Sequence, residues 1–182
     1  MTERVAVEIA IPQCQRGIGT VIGKPDAAGL IEGVRVAPLA LHADDRGYFL
    51  ELARIGTGLS AIFPPSSTQV SAALTYPGAI KAVHFHRFQH DLWNVAQGML
   101  QVALVDLRPG SKTFGQKNTL YLGPLRPWQL LIPPGVGHGY KVIGVEPALL
   151  VYLTDRFYDP SDEGRIAYDD AGINYAWELQ HK

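Results

Sequence analysis

Short hydrophobic runs alternate with turn residues along the whole chain, because Gly and Pro recur about every ten residues. Clear runs are Gly47–Leu52, Met99–Leu107, Gln129–Ile132 and Ala148–Leu153, all rich in Val, Leu, Ile, Tyr or Phe. Many short runs bounded by turn residues favour an antiparallel sandwich or barrel. Helix signals are weak, and only Ile55–Ala61 is compatible with one short helix or turn. The pattern therefore predicts an all-β fold with little helix.

Three parts of the chain lack the alternation of apolar and polar residues that is typical of a half-buried strand. Met99–Leu107 (MLQVALVDL) is mostly apolar, which predicts a strand buried on both faces or against another subunit. Residues 1–34 contain many glycines, so we expect an N-terminal extension, either an extra strand or an arm onto a partner. One domain is predicted over residues 35–182. From Asp155 onward the chain is polar and aromatic, and we expect it to wrap the barrel as irregular structure.

The composition and net charge of the chain limit the kinds of function that it can have. The chain has 182 residues, 47% of them hydrophobic, which is enough for one domain with a sizeable core. The formal net charge is −1, so the chain has no excess of positive charge that would attract nucleic acid or an anionic membrane. A local basic pocket is compatible with this net charge. The single cysteine, Cys14, excludes an internal disulfide. With no long apolar run for a signal peptide or a membrane span, we expect the cytoplasm as the location.

Histidines are concentrated in the segment Gly78–Trp93 (GAIKAVHFHRFQHDLW). His84 and His86 are two residues apart, so on a strand they point to the same face while Phe85 points to the other. A further histidine, His138, lies in the segment PPGVGHGY. Imidazoles that face one another in a barrel mouth can bind a metal, move protons or hold an anion.

The spacing of these segments resembles the two motifs of the cupin superfamily. In Gly78–Gly98 two histidines and an acid occupy the positions of the first motif, with Asp91 where a glutamate usually stands. The segment PPGVGH, residues 133–138, ends in the histidine of the second motif. The resemblance implies a cupin-type antiparallel jelly-roll barrel. In metal-binding cupins these positions surround a divalent metal, which here would be held by His84, His86, Asp91 and His138.

Five blocks in the same order resemble the dTDP-4-dehydrorhamnose 3,5-epimerase family over about residues 35–177. The resemblance implies an isomerase that acts on a nucleotide-linked 4-keto-6-deoxy sugar, needs no cofactor and forms a homodimer with exchanged strands. The five blocks are DDRGYFLE (Asp44–Glu51), GAIKAVHFH (residues 78–86), VDLRPGSKTFGQ (Val105–Gln116), QLLIPPGVGHGY (Gln129–Tyr140) and YDPSDEGRIAYDD (Tyr158–Asp170).

The resemblance also implies roles for individual residues. His84 falls on the catalytic base of the family and Tyr152 on its catalytic acid. A ketone at C4 acidifies the protons at C3 and C5, so a neutral imidazole can remove one and a phenol on the opposite face can return it. The family positions that line the substrate site, or that can stabilise the enolate, correspond to Arg46, Glu51, Gln69, Lys81 and His138.

Several family positions around the pocket are altered. A family arginine is Lys81 here, a glutamine is His86, a substrate-binding lysine is Asp91, and an acid that assists the second histidine is Val102. The aspartate that orients the family's base lies beyond the matched stretch, and Asp170 or Glu178 could substitute for it. An acid in place of a lysine repels a diphosphate, so these changes move the pocket from anion binding toward metal binding.

Three functions therefore stay open at the level of sequence. The first is an epimerase or keto-isomerase of a nucleotide-linked 4-keto sugar. The second is a metal-dependent cupin enzyme that uses the four-residue set of histidines and aspartate. The third is a non-catalytic homologue that binds a sugar.

Overall fold

The computed structural model describes residues 5–180, and this part of the chain is built almost entirely of β-strands. The helical part is one 3₁₀ helix, Gly58–Ile62, close to the predicted turn. No helix among residues 5–180 is long and apolar enough to cross a membrane. The thirteen strands of this region are β1 Thr20–Val21, β2 Arg35–Pro38, β3 Leu41–Asp44, β4 Gly47–Leu50, β5 Gln69–Thr75, β6 Ile80–His86, β7 Asp91–Gln97, β8 Met99–Asp106, β9 Lys117–Leu122, β10 Trp128–Ile132, β11 Val136–Ile143, β12 Ala148–Thr154 and β13 Glu163–Arg165.

Two sheets form the barrel. One contains six strands in the order β1-β9-β8-β11-β6-β13, and the other contains five in the order β2-β10-β7-β12-β5. All pairings within these sheets are antiparallel except β1 with β9. Strands β3 and β4 form a separate hairpin. The predicted all-β, antiparallel jelly-roll fold is confirmed.

The main hydrophobic core fills the space between the two sheets. Strand β8 sends Leu100, Val102 and Leu104 into this core, and all three are almost fully buried. Its alternate residues Ala103 and Val105 pack on the outer face, where the C-terminal segment covers them. The predicted burial of this strand on both faces is therefore confirmed, and the second face is covered by the same chain.

The two ends of the chain pack against the six-stranded sheet. From the N-terminal segment, β1 joins the edge of that sheet, and the side chains of Ile22 and Ile31 enter the main core. The backbone N–H of Cys14 donates to the carbonyl of Gly172, 2.7 Å away, so the two ends also contact each other. After β13 the C-terminal segment runs without regular strands and places Trp177 over the sheet. The division of the chain into an N-terminal extension, residues 1–34, and one domain, residues 35–182, stays a prediction.

Candidate active site

A cavity of about 250 Å³ opens between the two sheets. Strands β6 and β11 form one wall, and strands β5, β7 and β12 form the other. The cavity contains most of the residues that the sequence identified as candidates, together with some that it did not. Its polar and aromatic lining consists of Gln69, Lys81, His84, His86, Gln89, Asp91, Trp93, His138, Tyr140, Tyr152, Thr154, Tyr158 and Glu163.

The side chains of strand β6 alternate between its two faces, and this alternation brings both histidines into the cavity. His84 and His86 line the cavity, whereas Val83 and Phe85 pack under the C-terminal segment on the other face. The predicted common face of the two histidines is confirmed. The side chain of His84 is partly buried, and neither of its ring nitrogens has a hydrogen-bond partner among residues 5–180.

Lys81 reaches the cavity only because β6 is irregular. His84 pairs with His138 and Lys81 pairs with Tyr140, so three steps on β6 oppose two on β11. This extra residue brings Lys81 to the same face as His84, which strict alternation would forbid. Gly139 permits the close approach, because a Cβ there would lie 2.3 Å from the Cβ of Ala82.

The surroundings of His84 favour its neutral form. Burial is the largest cause that lowers the pKa of His84, and the positive charge of His138 lowers it further. The carboxylate of Glu163 opposes the shift, but the pKa of His84 remains below its ordinary value of 6.5. A neutral imidazole in a cavity is the form that can accept a proton.

A buried acid in the same cavity joins the two sheets. The carboxylate of Asp91 on β7 lies 3.2 Å from Nε2 of His138 on β11, and Nδ1 of His138 lies 3.0 Å from the carbonyl oxygen of Val136. Both ring nitrogens of His138 therefore face oxygen acceptors. Burial acts to raise the pKa of Asp91, but the hydrogen bond and charge of His138, the charge of His86 and the amide of Gln89 hold it below its ordinary value.

His86 completes this buried group. Its Nε2 lies 3.9 Å from Oδ2 of Asp91 and 3.1 Å from the amide nitrogen of Gln89, which also donates to Oδ1 of Asp91 at 2.7 Å. Nδ1 of His86 lies 3.9 Å from Oδ2 of Asp162 and has no hydrogen bond within the described part of the chain. Burial is the main cause that lowers the pKa of His86, although Asp91 acts in the opposite direction.

The opposite wall supplies a phenol and an amide. Tyr152 lies on β12, where its neighbours across the sheet are Trp93 and Ser71. The Gln69 amide donates to the hydroxyl of Ser71 at 3.1 Å and accepts from the backbone N–H of Tyr158 at 3.0 Å. Among residues 5–180 the hydroxyl of Tyr152 has no hydrogen-bond partner, so it is available to a molecule in the cavity.

Two expected substrate-binding residues do not reach the cavity of their own chain. Arg46 lies in the turn between β3 and β4, where it is 84% exposed and forms an ion pair with Asp44. Glu51 follows the same hairpin and pairs with Arg54 at 2.9 Å. The reason is that this hairpin lies apart from the two sheets that enclose the cavity.

The structure also changes two other expectations. Of the four suggested metal ligands, it groups only His86, Asp91 and His138, and His84 lies outside that group. The acids considered as partners of the base are engaged elsewhere: Asp170 accepts from the backbone N–H groups of Gly172 and Ile173, and Glu178 pairs with Arg16. Residues that sequence reasoning missed are Gln89, Asp162 and Glu163, although all three occur in segments singled out for other reasons.

The fold is a jelly-roll barrel, and an imidazole and a phenol face each other across its cavity. Such a cavity is suited to proton transfer. The family model for dTDP-4-dehydrorhamnose 3,5-epimerase matches residues 29–182. The chain belongs to this family of isomerases.

Individual relatives agree with the family assignment. The chain is 44% identical over 155 residues to the spore coat polysaccharide biosynthesis protein SpsL of Bacillus subtilis, covering 84% of this chain and 100% of the relative. A crystal structure of a dTDP sugar isomerase from Desulfovibrio desulfuricans matches with a TM-score of 0.74 at 26% identity, covering 83% and 94% of the two chains. The Legionella pneumophila dTDP-6-deoxy-D-glucose-3,5-epimerase in complex with dTDP-4-keto-L-rhamnose matches with a TM-score of 0.71 at 27% identity, covering 84% and 82%.

Proposed function

We propose that the protein epimerises a nucleotide-linked 4-keto-6-deoxy sugar by removing and returning a proton next to the ketone. The observation that carries the proposal is that His84 and Tyr152 line the same cavity from opposite sheets. Inversion of a carbon requires a base on one side of the sugar ring and an acid on the other. The complex of the Legionella relative with dTDP-4-keto-L-rhamnose supports this class of substrate.

In the proposed reaction His84 is the base. Its lowered pKa leaves the imidazole unprotonated at neutral pH, and neither nitrogen is held by another side chain of the described region. After it takes the proton from C3 or C5, the imidazolium is stabilised by the negative charge of Glu163, which lines the same cavity. Glu163, which also accepts a hydrogen bond from Arg165 at 2.7 Å, thereby serves as the acidic partner of the base. The phenol of Tyr152 returns a proton from the other side.

Negative charge develops on the ketone oxygen in the enolate, and Lys81 is the side chain best suited to stabilise it. Lys81 lines the cavity and has no ion-pair partner among residues 5–180. His138 offers the enolate no free N–H, because both of its nitrogens already face oxygen atoms. Gln69 and Lys81 line the same cavity and can contact the sugar nucleotide there.

The proposed functional unit is a homodimer. The outward face of the edge strand β5 exposes Val70 and Leu74 by 60% and 56%, and Phe49 on the hairpin is 66% exposed. Exposed apolar side chains of this kind favour a second copy of the chain as their cover. In such a dimer the hairpin of one copy can bring Arg46 and Glu51 to the cavity of the other, where Arg46 fits a diphosphate.

Proton transfer next to a ketone needs no cofactor, and no step of the proposed reaction uses one. The cytoplasm is the proposed location, and the single free cysteine, Cys14, is compatible with a reducing compartment.

The direct test is to incubate the purified chain with a dTDP-linked 4-keto-6-deoxy-glucose and follow the sugar by NMR. The proposal predicts conversion to a 3-epimer, a 5-epimer or the doubly inverted sugar. Substrate that binds but stays unchanged supports the non-catalytic, sugar-binding alternative instead.

A further inference from the structure

The cavity wall that the five-stranded sheet forms changes from apolar to polar along β12. Leu150, Tyr152 and Thr154 of this strand all line the cavity, and alternate residues of a strand are about 6.6 Å apart. Across the sheet, Ala73 lies beside Leu150, whereas Asp91 lies beside Thr154. This wall therefore has an apolar Leu150 end and a polar Thr154 end, with Tyr152 between them.

Gln89 belongs to the Thr154 end, and its contacts fix the orientation of its amide. The amide nitrogen donates to Oδ1 of Asp91 at 2.7 Å and lies 3.1 Å from Nε2 of His86. The reversed orientation would place the carbonyl oxygen against the Asp91 carboxylate, two acceptors facing each other. The carbonyl oxygen of Gln89 accepts no hydrogen bond from residues 5–180, and it keeps surface that is accessible from the cavity.

Thr154 supplies a second acceptor at this end. Its hydroxyl donates to the carbonyl oxygen of Arg156 at 2.7 Å, so the hydrogen is engaged and the lone pairs of the oxygen remain. The donors of Gln89 and Thr154 are thus held within the protein, while their acceptors are open to the cavity. A group of the substrate that binds there must donate a hydrogen bond, as a hydroxyl does.

The proposed base and acid lie midway between the two ends. His84 pairs with His138 across the six-stranded sheet, and the ring of His138 lies 5.3 Å from the ring of Trp93, centroid to centroid. Trp93 is in turn the neighbour of Tyr152 on the facing sheet. The reacting carbon of the sugar therefore has to lie at the level of Tyr152.

Lys81 and Gln89 lie on opposite sides of this level. Along β6, Lys81 precedes His84 and His86 follows it, and His86 is the residue that contacts Gln89. In a pyranose ring the ketone carbon C4 lies opposite C1, with C3 and C5 beside it. When the ketone oxygen is at Lys81 and C3 or C5 is at His84, the C1–C2 edge of the ring points toward Gln89.

We propose that Gln89 and Thr154 bind the C2 hydroxyl of the sugar, and that Gln89 makes the enzyme select a 2-hydroxy sugar over a 2-deoxy sugar. C1 carries the phosphate, so the C2 hydroxyl is the hydrogen-bond donor on that edge of the ring. Its configuration does not change when C3 or C5 is inverted, so one hydrogen bond can persist through the whole reaction. The inference rests on the proposed function for the placement of the ring.

The test compares dTDP-4-keto-6-deoxy-glucose with its 2-deoxy counterpart, by kcat/KM and by calorimetric Kd. The wild type should favour the 2-hydroxy sugar by about 10–100-fold, because the 2-deoxy sugar leaves a buried acceptor without a partner. Gln89→Met removes that acceptor and should reduce the ratio to less than about 5-fold, and Thr154→Val should reduce it as well. Gln97→Met is the matched control, since Gln97 is an exposed glutamine at the far end of β7 and should leave the ratio unchanged.

The ratio separates recognition from a merely structural role. A variant that only loosens the cavity slows both sugars equally, and any effect of the C2 hydroxyl on the acidity of the C3 proton is the same in every variant. Circular dichroism checks each fold, and Thr154→Val decides the matter if Gln89→Met does not fold.

A ratio that both cavity variants leave at the wild-type value would overturn the inference, and so would equal affinity for the two sugars or no binding of either. A wild type that epimerises both sugars equally well refutes only the selection at C2. A wild type that binds the 2-hydroxy sugar more tightly, loses this preference in Gln89→Met, and converts neither sugar refutes only the proposed function.

Discussion

Asp91 on one sheet lies 3.2 Å from Nε2 of His138 on the other, and both side chains are buried. The pair bridges the two sheets in the cavity that also contains the proposed base. A buried carboxylate with two histidines and an amide around it is electrostatically balanced, whereas either partner alone would be an uncompensated buried group.

We therefore expect Asp91→Asn to lower the free energy of unfolding by about 1–3 kcal/mol, the usual cost of leaving a buried polar group unsatisfied. Asparagine has nearly the same shape as aspartate, so the lost free energy of unfolding reflects the removed charge and not a change in packing. Urea denaturation measures the change. Asp169→Asn, at an exposed position, is the control and should alter stability by less than about 0.5 kcal/mol. Equal stability of the two variants would contradict the electrostatic role of Asp91.

The pH dependence of the reaction should reflect the surroundings of His84. Burial and the charge of His138 lower the pKa of His84 below 6.5. Because only the neutral imidazole accepts a proton, kcat/KM should decline at low pH and reach half of its plateau value at a pH below 6.5. A pH–rate profile of kcat/KM tests this, and a decline that is half complete at or above pH 6.5 would contradict it.

Tyr152 should be needed for inversion and not for removal of the proton. Tyr152→Phe deletes one hydroxyl that has no partner in the described part of the chain, so the fold should persist. In deuterated water the variant should still exchange the proton next to the ketone but form the epimer about 10²–10⁴ times more slowly. NMR follows both processes in one sample. If exchange and inversion fall equally in a folded variant, Tyr152 binds the substrate or stabilises the enolate instead.

The proposed dimer predicts that a charge on the outward face of β5 dissociates it. Leu74→Asp places a carboxylate at a position that is 56% exposed in one chain but would be covered by a second copy. Light scattering should give a dimer for the wild type and a monomer for the variant. Val145→Asp, on an 86% exposed residue in the loop between β11 and β12, is the control and should remain a dimer. A monomeric wild type would contradict the proposal.

Much of the fold could be predicted from local pattern. The predicted run Met99–Leu107 is strand β8, Met99–Asp106, and the predicted run Ala148–Leu153 is β12, Ala148–Thr154. The common face of His84 and His86 followed from their spacing, because the side chains of a strand alternate with a period of two. These features depend on residues that are close together in the sequence, so the sequence alone is enough to predict them.

The rest depends on contacts that no local pattern shows. Lys81 reaches the cavity through a shift in register between β6 and β11. Asp91 meets His138 across two sheets, 3.2 Å apart in space, although β7 and β11 are distant in the sequence. Arg46 matched a family position, but a sequence match does not say whether a residue serves its own cavity or that of a second copy.

The central claim is that His84 removes the proton next to the ketone. The most direct measurement is uptake of solvent deuterium at C3 and C5 of a dTDP-linked 4-keto-6-deoxy sugar, followed by NMR. The wild type and the control Asp169→Asn, at an exposed position away from the cavity, should incorporate deuterium at the same rate, and His84→Asn should be slower by about 10²–10⁴. Unchanged deuterium uptake by a folded His84→Asn variant would contradict the account.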